Sequence, residues 1–124
     1  MNAFSRMAVA LTSLAVGPAA ASPQVQEPTI PGMKVLLEND CVRVRRHDFA
    51  VGQSVPLHPH PAYVGYPLNS FKALITLADG TQRVTERKAG EAYWSPPVIH
   101  AVKNIGKVPI HALIVEIKPG GKCQ

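Results

Sequence analysis

Gly52-Gln53-Ser54-Val55-Pro56-Leu57-His58-Pro59-His60 carries two imidazoles two residues apart in a stretch stiffened by proline. In an extended chain, residues i and i+2 share a face, so His58 and His60 point the same way and can reach one ion. The prolines restrict the backbone, which lowers the entropy lost when the pair closes on a ligand. Pro59 and Pro61 also fit poorly inside a central ladder, so this segment is expected to be an edge strand or an irregular one. A His-Pro-His pair also occurs in solvated loops. Its meaning therefore depends on what the rest of the chain supplies.

Working outward, the sequence reads as short strands separated by turn residues. Strands are expected over residues 34–38 and 41–50, with Asn39-Asp40 as the turn between them. Residues 71–77 and 81–87 form a hairpin pattern whose turn carries Asp79-Gly80. Further strands are expected over 91–95, 99–103 and 109–118, punctuated by Lys88-Ala89-Gly90, Pro96-Pro97 and Asn104-Ile105-Gly106-Lys107. Past the N-terminus no stretch keeps a helical period. Many short strands broken by Gly and Pro give an all-β sandwich or barrel.

A second histidine cluster element lies in this region. Gly90 is followed after five residues by Pro96, then by His100, and after three more residues by Asn104. With Gly52, five residues and His58-Pro59-His60, this resembles the two motifs of the cupin superfamily, in order and in spacing, over residues 38–118. The resemblance implies a double-stranded β-helix, a jelly-roll barrel of roughly six to eight strands. It also implies a divalent metal held by His58, His60 and His100. Two departures qualify it. The first motif's glutamate position falls on Val64 or Gly65, and the second motif is one residue short, with Val98 near its usual glycine. A three-imidazole set leaves open positions and suits Fe, Zn, Mn, Ni or Cu. Without the carboxylate's charge, the bound ion is the stronger Lewis acid.

Other residues are candidates for the same cavity. Tyr63 follows His60 by three residues and either lines the site as a substrate contact or packs as an ordinary aromatic. Strand parity puts Arg46 with Val42 and Val44. If that face is internal, Arg46 is a cation able to clamp a substrate carboxylate. His47 is expected at the surface and His111 as a satisfied wall residue. Of Tyr93 and Trp94, one faces inward and the other outward. Glu91 and Glu116 are expected to be solvated, as lone strand carboxylates usually are.

The N-terminus reads as a secretory signal peptide over residues 1–21. Arg6 precedes an uncharged apolar run, Gly17-Pro18 breaks it, and Ala19-Ala20-Ala21 supplies a small-residue cleavage site. The run is too short to span a bilayer, which takes roughly 20 residues. The expectation is a periplasmic or secreted protein with no membrane segment after cleavage, an extended arm over 22–33 and one domain over 34–119. Cys41 and Cys123 are far apart in sequence and neither adjoins a histidine, which argues against a thiolate zinc site and leaves a disulfide open.

The net charge of +5 is mild and not interleaved with aromatics, so no nucleic-acid partner is indicated. No phosphate-binding glycine loop, serine elbow or paired carboxylates appear, which leaves nucleotide and hydrolase readings without support. The resemblance implies a homodimer and a small-molecule partner. Two functions stay open: a metal-dependent enzyme, dioxygenase-like or isomerase-like, on a small organic molecule that is anionic if Arg46 faces it, and a non-catalytic module binding a metal or small ligand.

Overall fold

The structure, a computed structural model, describes residues 10–19 and 29–123, so most of the signal-peptide and arm segments lie outside the described residues. Nine strands follow in order: β1 Met33–Glu38, β2 Val42–Phe49, β3 Ser54–His60, β4 Tyr63–Pro67, β5 Phe71–Leu77, β6 Gln82–Arg87, β7 Tyr93–Ser95, β8 Val98–Asn104 and β9 Ile110–Ile117. They form a five-stranded sheet, β1-β2-β9-β4-β7, and a four-stranded sheet, β3-β8-β5-β6, with every pairing antiparallel. The all-β expectation is met.

The strand not foreseen is β4, Tyr-Val-Gly-Tyr-Pro, which bonds to β9 on one side and β7 on the other. Gly65 and Pro67 are strand-weakening residues, and what holds them here lies elsewhere in the chain. A Cβ on Gly65 would collide with the Tyr93 ring, so the glycine is what lets that ring cross β4.

β3 is an edge strand, as its prolines require. Its register against β8 shifts between Val55 and His58, and the shift changes which residues face in. Strict alternation from Val55 would turn Leu57 inward, but the irregularity buries Val55, His58 and His60 and leaves Leu57 exposed. The bulge thus sets the histidines toward the interior.

The core gathers Phe49, Val55, Ala73, Ile75, Ile110 and Ala112 from both sheets, and Ile30, the end of the arm, tucks in beneath them. Gly32, at φ +84, turns the chain against the backbone of Asp48, whose N–H donates to the Gly32 carbonyl at 2.8 Å. Asn104 is almost wholly buried and ties the β8–β9 turn to the end of β2. Its Nδ2 donates to the carbonyls of Val108 (2.9 Å) and Phe49 (3.3 Å), while its Oδ1 accepts from the Gly106 N–H (3.0 Å). The motif's asparagine is therefore a turn staple.

Cys41 and Cys123 are paired as a disulfide with Cα atoms 5.1 Å apart, linking the start of β2 to the chain's C-terminal end.

Candidate metal centre

His58 and His100 are directly opposed across the β3–β8 ladder, and His60 stands one inward position further along β3. All three side chains are buried. Their ring centroids are 4.7 Å (His58–His60), 4.9 Å (His58–His100) and 5.2 Å (His60–His100) apart. One nitrogen from each lies within 4.8 Å of the others, an arrangement that can hold a single metal ion.

Hydrogen bonds on the far side of the rings decide which nitrogen is offered. His58 Nδ1 lies 2.7 Å from the Pro56 carbonyl, which can only accept, so this nitrogen carries the proton. His58 Nε2 then holds the lone pair, and it is buried with no hydrogen-bond partner. His60 Nδ1 donates to Glu116 Oε1 at 2.5 Å, which likewise leaves its Nε2 free. Burial lowers the pKa of His58, opposed by the Pro56 bond and aided by the charges of His60 and Arg45. His100 is held at about 3, chiefly by burial and then by the charges of His58, His60 and Arg83. Metal ligation needs neutral imidazoles, and burial favours that form at His58 and His100. An orphaned, buried Nε2 beside two more imidazoles fits a metal ion.

Glu116 is buried on the inward face of β9, contrary to the solvated position expected for it. Its carboxylate accepts from His60 and faces Arg45 Nε at 3.3 Å, with Arg43 further off at 3.9 Å. Burial of one carboxylate is sustained by two guanidinium charges from β2 and a hydrogen bond from β3. No local pattern in β9 announces this, because its partners come from β2 and β3.

The same arrangement corrects two expectations on β2. The inward residues are Arg45, His47 and Phe49, which puts His47 inside and Arg46 outside. Buried Phe49 and the Arg45–Glu116 pair fix that parity. Arg46 finds Asp48 instead, Nε to Oδ1 at 2.9 Å, and does not line the cavity, so the clamp expected of it is not placed there. His47, expected at the surface, is buried with its ring 6.0 Å from His60 and its Nε2 unpartnered. Burial, then the charges of His60 and His58, hold its pKa at about 3. His111 bonds Asp48 through Nδ1 at 2.5 Å on the outer face.

The cavity is small, about 60 Å³, and is closed by His47, Phe49, Tyr63, Ile75, Tyr93 and Val102 around the three histidines. Tyr63 lies 5.1 Å from His60, ring to ring, and 6.1 Å from Tyr93. Tyr93 faces inward and Trp94 is 62% exposed. The Tyr93 hydroxyl is pushed above its usual pKa, mainly by burial and then by Tyr63, so it remains protonated.

No protein-family model matches the chain, and no curated protein matches it. Solved structures do. A cupin domain from Bordetella pertussis Tohama I is 25% identical, with 76% of this chain covering 98% of that one at a TM-score of 0.66. This chain has the cupin fold, the double-stranded β-helix.

Two other structures share the fold at lower identity. A protein with a double-stranded β-helix domain from Klebsiella pneumoniae is 23% identical over 77% of this chain and 85% of that one, at a TM-score of 0.56. The polyketide cyclase RemF from Streptomyces resistomycificus is 22% identical over 75% of this chain and 70% of that one, also at 0.56. Within this fold the first motif's carboxylate has no substitute at its own position. Val64 faces away from the cavity, and at Gly65 the space belongs to Tyr93.

Proposed function

We propose that this cupin binds a divalent metal ion through the Nε2 atoms of His58, His60 and His100 and acts on a small organic molecule. The observation that carries the reading is the buried, unpartnered Nε2 of His58, turned toward two further imidazoles. When bound, Fe, Zn, Mn, Ni or Cu would supply Lewis acidity and open coordination positions, and a redox metal would support dioxygenase-like chemistry. The chain's own residues orient the ligands: Pro56 holds His58, Glu116 holds His60, and both fix the proton on Nδ1. Phe49, Tyr63, Ile75 and Val102 exclude bulk water from the cavity.

The test is elemental analysis of purified protein beside its His58→Ala/His60→Ala variant. The wild type should carry about one metal ion per chain and the variant essentially none. Equal metal content in both would reject the site.

One observation favours a second reading, a non-catalytic module that captures a metal or small ligand. Among the described residues no carboxylate lines the cavity, and His47, at about 3, is a weak base. Oxygen uptake or product formation with candidate small molecules separates the two readings.

Export and dimerisation belong to the same proposal. The Cys41–Cys123 bridge is consistent with an oxidising compartment such as the periplasm or the outside of the cell. A homodimer is supported by edge strand β1, where Val35, Leu36 and Leu37 stand about half exposed in succession. Sedimentation of the purified protein at several concentrations reads the oligomeric state directly.

A further inference from the structure

Arg83, Thr85 and Arg87 alternate along β6, and all three line the metal cavity. Their register explains it: Arg83 is paired with core residue Ile75, Thr85 with Ala73 and Arg87 with Phe71. Arg83 and Arg87 also line the outer mouth beside Tyr63 and Trp94. β6 is bonded only to β5, so this wall of the cavity is a sheet edge facing solvent.

The charge balance here is one-sided. The cavity lining holds two guanidinium groups and no carboxylate. Glu86, between them in sequence, reaches the outer mouth but not the metal cavity, and pairs with Lys72 at 3.5 Å. Among the described residues neither Arg83 nor Arg87 has an ion pair, and Arg87 lies over the Tyr93 ring at 3.6 Å from its centroid. Two cations beside three imidazoles and a metal ion repel one another unless an anion joins them. A guanidinium matches a carboxylate in shape as well as charge, and the ring beneath Arg87 holds one fork in place.

We propose that Arg83 and Arg87 are specificity-determining residues that bind the carboxylate of a small organic acid entering the metal cavity past β6. The inference rests on the metal-centre reading above and names the substrate class of that site. The role first expected of Arg46 on β2 passes to the opposite sheet. A cavity of about 60 Å³ limits the acid to a few carbon atoms.

The test uses the full chain, isotope-labelled, with the arginine Nε–Hε signals followed by NMR. Acetate is the probe and acetamide its neutral counterpart, each titrated at constant ionic strength into metal-free and cobalt-loaded protein. Single Arg83→Gln and Arg87→Gln variants assign the two signals. Acetate should move both, and acetamide neither. The double Arg→Gln variant should bind acetate about tenfold or more weakly, with the double Arg→Lys variant recovering part of the loss. Circular dichroism reports whether the variants fold, and the comparison of acetate with acetamide on the wild type decides the matter even if they do not. Equal response to acetate and acetamide, or unchanged acetate binding in a folded double variant, overturns the proposal. If cobalt is not taken up while the arginine signals still respond to acetate, the metal reading fails and this one stands. If cobalt loads and the arginines stay silent, the reverse holds.

Discussion

His60 Nδ1 and Glu116 Oε1 stand 2.5 Å apart and join β3 of one sheet to β9 of the other. Arg45 of β2 faces the second oxygen of the same carboxylate at 3.3 Å. One buried carboxylate thus orients His60 and neutralises a buried guanidinium.

Glu116→Gln keeps the shape but removes the charge. Loss of such an outer partner typically lowers metal affinity roughly 10–100-fold, and a similar loss is expected here in competition with a chromophoric chelator. The variant should also be less stable by about 3 kcal/mol, because Arg45 keeps its burial and loses its counter-charge. Chemical denaturation of the metal-free protein separates that effect from the metal's own. Unchanged affinity and stability together would show that the relay has no energetic role.

Gly65 and Tyr93 account for the carboxylate missing from the first motif. Any Cβ at residue 65 meets the Tyr93 ring, so Gly65→Ala should destabilise the protein by roughly 1–3 kcal/mol. In a Tyr93→Ala background the same substitution should cost much less, since the obstructing atoms are gone. A double-mutant cycle in thermal unfolding reads the coupling. Additive effects would mean that the ring moves aside freely.

The barrel was legible in the sequence because turn chemistry and period-two patterning are local. The Asp79-Gly80 hairpin shows this: Gly80 takes φ +86 and Asp79 accepts from the Thr81 N–H at 2.9 Å. The histidine trio was legible because motif spacing carries register. What local patterning missed depends on partners distant in sequence. β4 hides behind Gly65 and Pro67 until Tyr93 and β9 are placed. The inward face of β2 is decided by Glu116, on a strand at the far end of the chain, which sends His47 in and Arg46 out. Arg83 and Arg87 look like ordinary strand charges until Ile75 and Phe71 are seen opposite them.

Cys41 and Cys123 are separated by 82 residues, so their bridge closes a long loop in the unfolded chain. Reduction should therefore destabilise the protein by about 2–5 kcal/mol. Thermal melts with and without reductant measure this, with Cys41→Ser/Cys123→Ser as the control. A melting temperature indifferent to both would show that the bridge does not contribute to folding stability.

His47 and His100 set the pH dependence of the metal-free fold. Both are held at about 3, by burial first, while an unfolded histidine titrates near 6.5. Between those values the unfolded chain binds protons that the native state refuses, so stability is complete above about pH 6.5 and declines as the pH falls toward 3. Each such group contributes a slope of about 1.4 kcal/mol per pH unit once the unfolded form is protonated. His47→Phe fills a similar volume without a titrating nitrogen. Denaturant unfolding between about pH 6 and 5, above the range where most carboxylates titrate, should show the variant's slope reduced by about one proton. An unchanged slope would mean that His47 takes up its proton in the folded state, and that the cavity is wetter than its apolar lining implies.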